Sequence, residues 1–217
     1  MKYKYLFFDL DGTISDTLEG VGNAAIYTFE KFGEEIPDKS VLRKFIGPPL
    51  KYTFEKICGY SEEKTERAIN IFREYYEDRG WRECHIFEGM NELLTEMKAQ
   101  GYKLVVATSK SEEFAIPLLK MLGVHECFDF IAGSKDEIGR STKTDVILHA
   151  LNTLEITAKD ALMIGDTKFD IEGANALGLD SVGVLFGFGT RESLKEEGAT
   201  YIIESVKALE EFLLSLY

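Results

Sequence analysis

Two carboxylates stand two residues apart in Asp9-Leu10-Asp11-Gly12-Thr13, directly after the apolar run Tyr5-Leu6-Phe7-Phe8. In an extended segment that spacing sends both side chains the same way. Gly12 permits a tight turn and close backbone approach, and Thr13 adds a hydroxyl. Neighbouring carboxylates repel one another unless a cation neutralises them or one of them keeps a proton. A hard, oxygen-preferring cation such as Mg2+ suits the pair. The plainer reading is a loop that merely turns at Asp and Gly; the apolar run in front of it counts against that.

A second acidic site, Gly165-Asp166-Thr167-Lys168-Phe169-Asp170, follows another apolar run, Ala161 to Ile164. Asp166 is a candidate to complete a metal site with Asp9. Asp170 sits one helical turn further on, where it would bind directly, through water, or from behind the ligands. Read without a metal, Asp166 caps the following helix and Asp170 is its first-turn acid. Thr108 and Ser109 close the run Leu104 to Ala107; their hydroxyls and N–H groups suit phosphate oxygens beside a helix N-terminus, though Ser and Thr at a helix start serve as well for simple capping. Lys110 is a weaker candidate of the same kind. Lys143, after Gly139-Arg140-Ser141-Thr142, starts a helix, where a cation opposes the dipole. A bound phosphate and a carboxylate nucleophile would give that placement a reason; a solvated surface lysine is the alternative.

The elements that must carry these residues are legible in the apolar spacing. Short runs recur at Tyr5–Phe8, 103–107, 128–132, 161–164, 181–185 and, more weakly, 200–203. Between them the spacing is helical: Leu93, Leu94 and Met97; Phe114, Leu118, Leu119 and Leu122; Val146, Ile147, Ala150, Leu151 and Leu154. Strands alternating with helices predict an α/β fold, a Rossmann-like three-layer core with a parallel sheet covered on both faces. Acids that end its strands then emerge at one edge, where ligands of open parallel sheets gather. Residues 17–84 differ. They show helical stripes (Val21, Ala24, Ala25, Thr28, Phe29, Phe32; then Ala68, Ile69, Ile71, Phe72, Tyr75) broken by Gly47-Pro48-Pro49, and predict a helical domain inserted after the first strand, the core being 1–16 and 85–217.

The chain has 217 residues, 45% of them apolar, enough for such a core. With 25 Lys+Arg against 38 Asp+Glu the net charge is −13, which disfavours nucleic-acid polymers and anionic membranes but not a small anion met by local cations. Cys58, Cys84 and Cys127 are odd in number and lack metal-ligand spacing, which reads as free thiols in a reducing compartment. No apolar stretch is long enough to span a bilayer and the N-terminus has no signal-peptide pattern, so a soluble, cytoplasmic protein is expected. His85, His125 and His149 are scattered and receive no role. Gly183, Gly187 and Gly189 have the wrong spacing for a dinucleotide loop and read as a flexible connection.

Taken in order, Phe8-Asp9-Leu10-Asp11-Gly12-Thr13, Thr108, Lys143 and Gly165-Asp166 through Asp170 resemble the four motifs of the haloacid dehalogenase-like superfamily, in its phosphatase branch, over nearly the whole chain. The helical insert resembles that superfamily's small cap domain. Phe45-Ile46-Gly47-Pro48-Pro49-Leu50 is similar to a cap segment of phosphoglycolate phosphatase-like and 5'-nucleotidase-like members. Tyr75-Tyr76, Ala107-Thr108-Ser109-Lys110, Ser141 to Ile147 and Gly183 to Gly189 look closest to the bacterial 5'-nucleotidase-like group. The third motif lacks a Lys-Pro pair found in many phosphoglycolate phosphatases, which weakens phosphoglycolate as substrate.

The resemblance implies a Mg2+-dependent phosphomonoesterase working through an aspartyl phosphate. Its substrate would be a small phosphorylated metabolite, a nucleoside 5'-monophosphate first, with phosphoglycolate or a sugar phosphomutase reaction as alternatives. Asp9 would be the nucleophile and Asp11 the acid and base, suited to an alkoxide leaving group where a halide would need no proton. Thr108, Ser109 and Lys143 would hold the phosphoryl oxygens. Asp9, Asp166, Asp170 and Asp11, the last through its backbone carbonyl, would hold the metal. Arg43 and Lys51 in the cap are candidate substrate contacts, or simply exposed charges. The expected partner is a small phosphate ester, with neither nucleic-acid polymer nor membrane, and the chain a monomer or homodimer.

Overall fold

A computed structural model describes residues 2–216; Met1 and Tyr217, the ends of the expected core, lie outside the described residues. The strands are β1 (Tyr5–Phe8), β2 (Ser15–Asp16), β3 (His85–Ile86), β4 (Lys103–Ser111), β5 (Phe130–Ser134), β6 (Ala161–Gly165), β7 (Asp180–Val184) and β8 (Tyr201–Ile203). The α-helices are α1 (Leu18–Phe32), α2 (Lys39–Leu42), α3 (Leu50–Tyr52), α4 (Glu62–Asp78), α5 (Met90–Ala99), α6 (Glu112–Met121), α7 (Lys143–Leu154), α8 (Lys168–Leu177), α9 (Arg191–Glu196) and α10 (Val206–Ser215). The chain divides into two compact units, one of residues up to Ser15 together with Ile86 onward, the other Asp16–His85. The chain passes between them within β2 and β3, which pair with each other.

The first unit is built on a six-stranded sheet of order β5-β4-β1-β6-β7-β8, parallel at every pairing. The α/β expectation is met, and the physical reason is visible in β1 and β6. Leu6, Phe7 and Phe8 are fully buried, as is all of β6. Successive side chains of a strand face opposite ways, so such strands need a helical layer on each face. Phe7, Val105 and Met163 share one side with Val146, Ile147 and Ala150 of α7 and Ala174 of α8. Strand progression runs outward from β1 through β4 to β5, then returns to β6 on the other flank of β1. The three central strands β4, β1 and β6 therefore end side by side at the reversal, the usual ligand edge of such sheets.

Two expectations need correction here. The run expected to stop at Ala107 continues as β4 to Ser111, with a register shift against β5 between Ala107 and Ser111. Thr108 and Ser109 consequently lie in an extended strand tail; α6 starts only at Glu112, and its N-cap is Ser111. The polar composition of Thr108-Ser109-Lys110-Ser111 hides this, because the tail leaves the apolar interior while the backbone stays extended.

The second unit has an aromatic interior. Phe45, Phe54 and Phe72 meet edge to face or stacked, with Phe45–Phe54 centroids 5.1 Å apart, Phe54 stacking on Tyr60 at 5.6 Å and Phe72 on Tyr76 at 5.8 Å. Helix α1 ends at Gly33 in the left-handed region, φ 67°, the expected helix stop. Gly20 of α1 is required by close approach, since a Cβ there would sit 1.9 Å from the Gly80 carbonyl oxygen.

Candidate active site

Asp9 is delivered by one more rung of the sheet: its N–H donates to the Ile164 carbonyl at 2.9 Å, continuing the β1–β6 ladder past Phe8. The chain then coils around the Leu10 carbonyl, which accepts from Ile14 and Ser15 at 3.0 Å each. Gly12 carries the turn at φ +87°, and a Cβ there would lie 2.3 Å from Asp166 Oδ2, so only glycine lets the two acidic segments meet.

Asp166 follows β6 and is fully buried. Its Oδ2 accepts from the Phe188 N–H at 2.7 Å, and its Oδ1 from the Thr13 hydroxyl at 3.4 Å. It does not cap the next helix, as a metal-free reading had it. Thr167 is the N-cap of α8, in a capping box with Asp170. Asp170 divides its carboxylate: Oδ2 accepts from the Thr167 N–H and hydroxyl, both at 2.9 Å, while Oδ1 faces Lys143 Nζ at 2.8 Å. Gly165 leaves room for it, since a Cβ there would fall 2.3 Å from Asp170 Cγ.

Lys143 is the first residue of α7, behind a Thr142–Asp145 capping box. Its ammonium is buried, 2.7 Å from Asp9 Oδ1 and 2.8 Å from Asp170 Oδ1, and donates to the Ala107 carbonyl at 3.0 Å. The two carboxylate contacts are ion pairs rather than well-aligned hydrogen bonds, since neither oxygen meets bonding geometry. These acids are the reason a cation sits at that helix start, and the solvated-lysine reading falls away. The stem passes close over α8, because a Cβ on Gly173 would approach Lys143 Cγ to 2.9 Å.

Asp9, Asp166 and Asp170 each offer one oxygen within 4.8 Å of the others. Three buried carboxylates face one buried ammonium, an excess of negative charge in low dielectric. Burial pushes the Asp9 carboxyl up to about 7; Lys143 pulls it back, while Asp170 and Asp11 add to the rise. Burial, Asp170 and Asp9 hold Asp166 well above the usual carboxylate range. Burial alone would lower Lys143, but Asp170 and Asp9 reverse that and raise it. A site of hard oxygen donors with surplus negative charge and no sulfur or imidazole fits a divalent cation of the Mg2+ type.

The carboxylate of Asp11 stands apart from that trio. It is paired with Lys110, whose Nζ is 3.0 Å from Asp11 Oδ2. Thr108 is buried, and its hydroxyl accepts from the Lys110 N–H at 3.2 Å; Ser109, beside it, is half-buried. Arg43 belongs to the second unit, exposed at the head of the 3-10 turn Arg43–Phe45. Lys51, in the same unit, faces Glu55 at 3.7 Å and Glu62 at 3.6 Å.

The loop read from sequence as a flexible connection proves to be a wall of the acidic site. A Cβ on Gly187 would lie 2.2 Å from the Gly12 carbonyl oxygen and 2.4 Å from Asp166 Cβ; one on Gly189 would lie 1.9 Å from the Asp166 carbonyl oxygen. Glycines were chosen here for closeness to another backbone, not for mobility. The available signal was their position, directly after a strand that ends at the same sheet edge as Asp9 and Asp166.

Fold and site together define a hydrolase with its acids gathered at one end of a parallel sheet. Residues 6–184 match the model of the haloacid dehalogenase-like hydrolases, and the chain belongs to that family. A 5'-nucleotidase of Pseudomonas aeruginosa is 34% identical over 215 residues, 99% of this chain and 97% of its own. The tyrosine-protein kinase PtkA of Mycobacterium tuberculosis is 33% identical over 197 residues, 91% of this chain and 67% of its own. The crystal structure of a predicted phosphatase from Clostridium acetobutylicum matches with TM-score 0.94 and 41% identity, covering 99% of this chain and 100% of that one. The chain is thus a phosphatase, an enzyme acting on phosphate esters. No helix among the described residues is long and apolar enough to cross a membrane.

Proposed function

We propose that the chain is a Mg2+-dependent phosphomonoesterase acting through an aspartyl phosphate on Asp9, with nucleoside 5'-monophosphates as its preferred substrates. The observation that carries the reading is the pairing of two differently housed acids two residues apart. Asp9, 4% exposed, lies against Lys143 and Asp166; Asp11 lies outside that trio.

An oxygen of Asp9 attacks phosphorus, and the bond to the leaving oxygen breaks. Asp11 gives that oxygen a proton, then takes one from the water that cleaves the acyl phosphate, restoring Asp9 and releasing inorganic phosphate. Lys143 and the Thr108 and Ser109 groups hold the phosphoryl oxygens as charge spreads onto them. Asp9, Asp166 and Asp170, with the Asp11 backbone carbonyl, would hold Mg2+. When bound it supplies positive charge against the carboxylates and the phosphoryl oxygens. Through the oxygen it turns to Lys143, with the other on the α8 cap, Asp170 also fixes Lys143 beside Asp9. The nucleotide preference rests on the Pseudomonas aeruginosa 5'-nucleotidase, similar over 99% of the chain. Choice of leaving group is assigned to the helical unit, Arg43 and Lys51 first.

The test is phosphate release from nucleoside monophosphates, phosphoglycolate, sugar phosphates and pyrophosphate, with and without Mg2+. Release that needs Mg2+, is fastest on a 5'-mononucleotide, and vanishes in a folded Asp9→Asn variant is expected. Turnover retained by that variant would refute Asp9 as nucleophile, and faster release from another ester would overturn the substrate assignment.

A further inference from the structure

Lys110 is not used in the reaction just described, yet its side chain is only 7% exposed and its ammonium lies 3.0 Å from Asp11 Oδ2. The other oxygen, Asp11 Oδ1, is buried and has no hydrogen-bond partner. Leaving a buried acceptor unpaired carries a cost, which a donor brought to that atom would offset. Together these facts describe a carboxylate held through one oxygen, with the other free of hydrogen bonds.

The holder is itself fixed. Lys110 sits in the extended tail of β4, where its N–H donates to Thr108 Oγ1 at 3.2 Å. Across the sheet, Gly133 of β5 comes so near that a Cβ there would lie 2.6 Å from the Lys110 carbonyl oxygen and 2.7 Å from the Glu112 N. Main chain this closely packed leaves the lysine stem a defined origin, and an ion pair of two largely buried groups holds its direction better than an exposed one.

We propose that Lys110 is the positioning residue for Asp11: it clamps Oδ2 so that Oδ1 is presented to the leaving oxygen. The inference rests on the phosphatase reading and deepens it by dividing labour within one carboxylate. As the Asp9–phosphorus bond forms and the phosphorus–leaving oxygen bond breaks, the proton on Asp11 Oδ1 passes to the leaving oxygen. In the second half a water proton passes to Oδ1 while the water oxygen bonds to phosphorus and the Asp9–phosphorus bond breaks, freeing the Asp9 carboxylate and inorganic phosphate. Lys110 keeps all its protons in both halves and touches neither the ester nor the water.

A proton is needed by an alkoxide leaving group and not by p-nitrophenolate, which separates positioning of the acid from every other way of harming the enzyme. The experiment compares kcat/KM for a nucleoside 5'-monophosphate and for p-nitrophenyl phosphate, with Mg2+, in wild type, Lys110→Met, Lys110→Gln and Lys110→Arg. The ratio kcat/KM reports events up to departure of the leaving group, so the later hydrolysis of the aspartyl phosphate does not blur it. Loss of an oriented acid is expected to lower kcat/KM on the nucleotide about 100-fold in Lys110→Met and Lys110→Gln, and on the aryl ester by less than about threefold. Lys110→Arg, which keeps a charged donor, is expected to recover part of the nucleotide activity. Both esters are read on one preparation, so the ratio does not depend on how much of a variant folds. Equal losses on the two esters, or no loss on either, would overturn the assignment while leaving the phosphatase intact. A wild-type protein that hydrolyses neither ester would instead overturn the phosphatase reading, and this one with it.

Discussion

Adding a single methyl group at Gly187 should damage the acidic site, although no atom of that residue is assigned a chemical role. The methyl carbon would stand 2.2 Å from the Gly12 carbonyl oxygen, 2.4 Å from Asp166 Cβ and 2.5 Å from Asp166 Oδ2. Ordinary contact needs about 1 Å more at each, on the steep side of the repulsive wall. The Gly12 carbonyl has little freedom, since its residue turns at φ +87° and its N–H is bonded to the Ser15 carbonyl at 2.8 Å. What gives way is the 185–190 loop or Asp166, and either motion parts Asp166 Oδ2 from the Phe188 N–H, now 2.7 Å away. Overpacking of this kind costs about 1–3 kcal/mol, and a lost hydrogen bond to a charged acceptor about 1.5–3 kcal/mol. The two overlap, so about 3 kcal/mol is expected for Gly187→Ala, a fall in Tm of about 6–12 °C for a chain of this size. Since Asp166 is displaced, half-saturation of activity by Mg2+ should rise by about tenfold or more, the second-ligand-shell range. Thermal melts with and without Mg2+, and a Mg2+ titration of phosphate release, read both quantities. A variant that melts with wild type at unchanged Mg2+ demand would show that the loop is as mobile as its glycines suggest, and the packing argument would fail.

The opposite outcome is expected at Gly22, in the middle of α1, where a Cβ would meet nothing within 4 Å; Gly22→Ala should stabilise the chain by about 0.5–1 kcal/mol through helix propensity, read as a higher Tm. Asp9→Asn should abolish turnover yet, without metal, melt above wild type at pH 8. The Asp9 acid, ordinarily 3.8, is pushed by burial to about 7, so between those values the folded state keeps a proton that the unfolded chain releases. Stability of the metal-free wild type accordingly falls as pH rises through that window, and the advantage of the Asn variant should shrink at pH 5; an advantage that grows on acidification would contradict the burial argument.

How far the sequence could be read depended on the kind of force at work. Tyr5–Phe8 and Ala161–Ile164 were legible as strands because a strand buried on both faces has no choice but to be apolar. The continuation of β4 to Ser111 was not, because Thr108-Ser109-Lys110-Ser111 is extended without being apolar and nothing in its composition separates a strand tail from a loop. Lys143 at a helix start was a visible anomaly, and Asp9 and Asp170 account for it. Asp166 looked able to cap α8, with Asp170 as its first-turn acid; only geometry shows Thr167 as the cap, in a box with Asp170. The partner of Asp11 was beyond reach, since Lys110 is close to it only through the pairing of β1 with β4. Gly187 and Gly189 misled for a related reason: composition does not distinguish a glycine kept for freedom from one kept for lack of bulk.

Asp170 gives one side chain two employers. The same carboxylate that begins α8 also steadies the lysine beside Asp9, so secondary structure and reactivity inherit every mutation at this position together. Asparagine there could still accept from Thr167, but it would leave Lys143 with a single anionic neighbour; alanine would unfasten the helix as well. Drift at residue 170 is thus visible to selection twice over, and a descendant altering its chemistry by this route would first have to find α8 a new beginning.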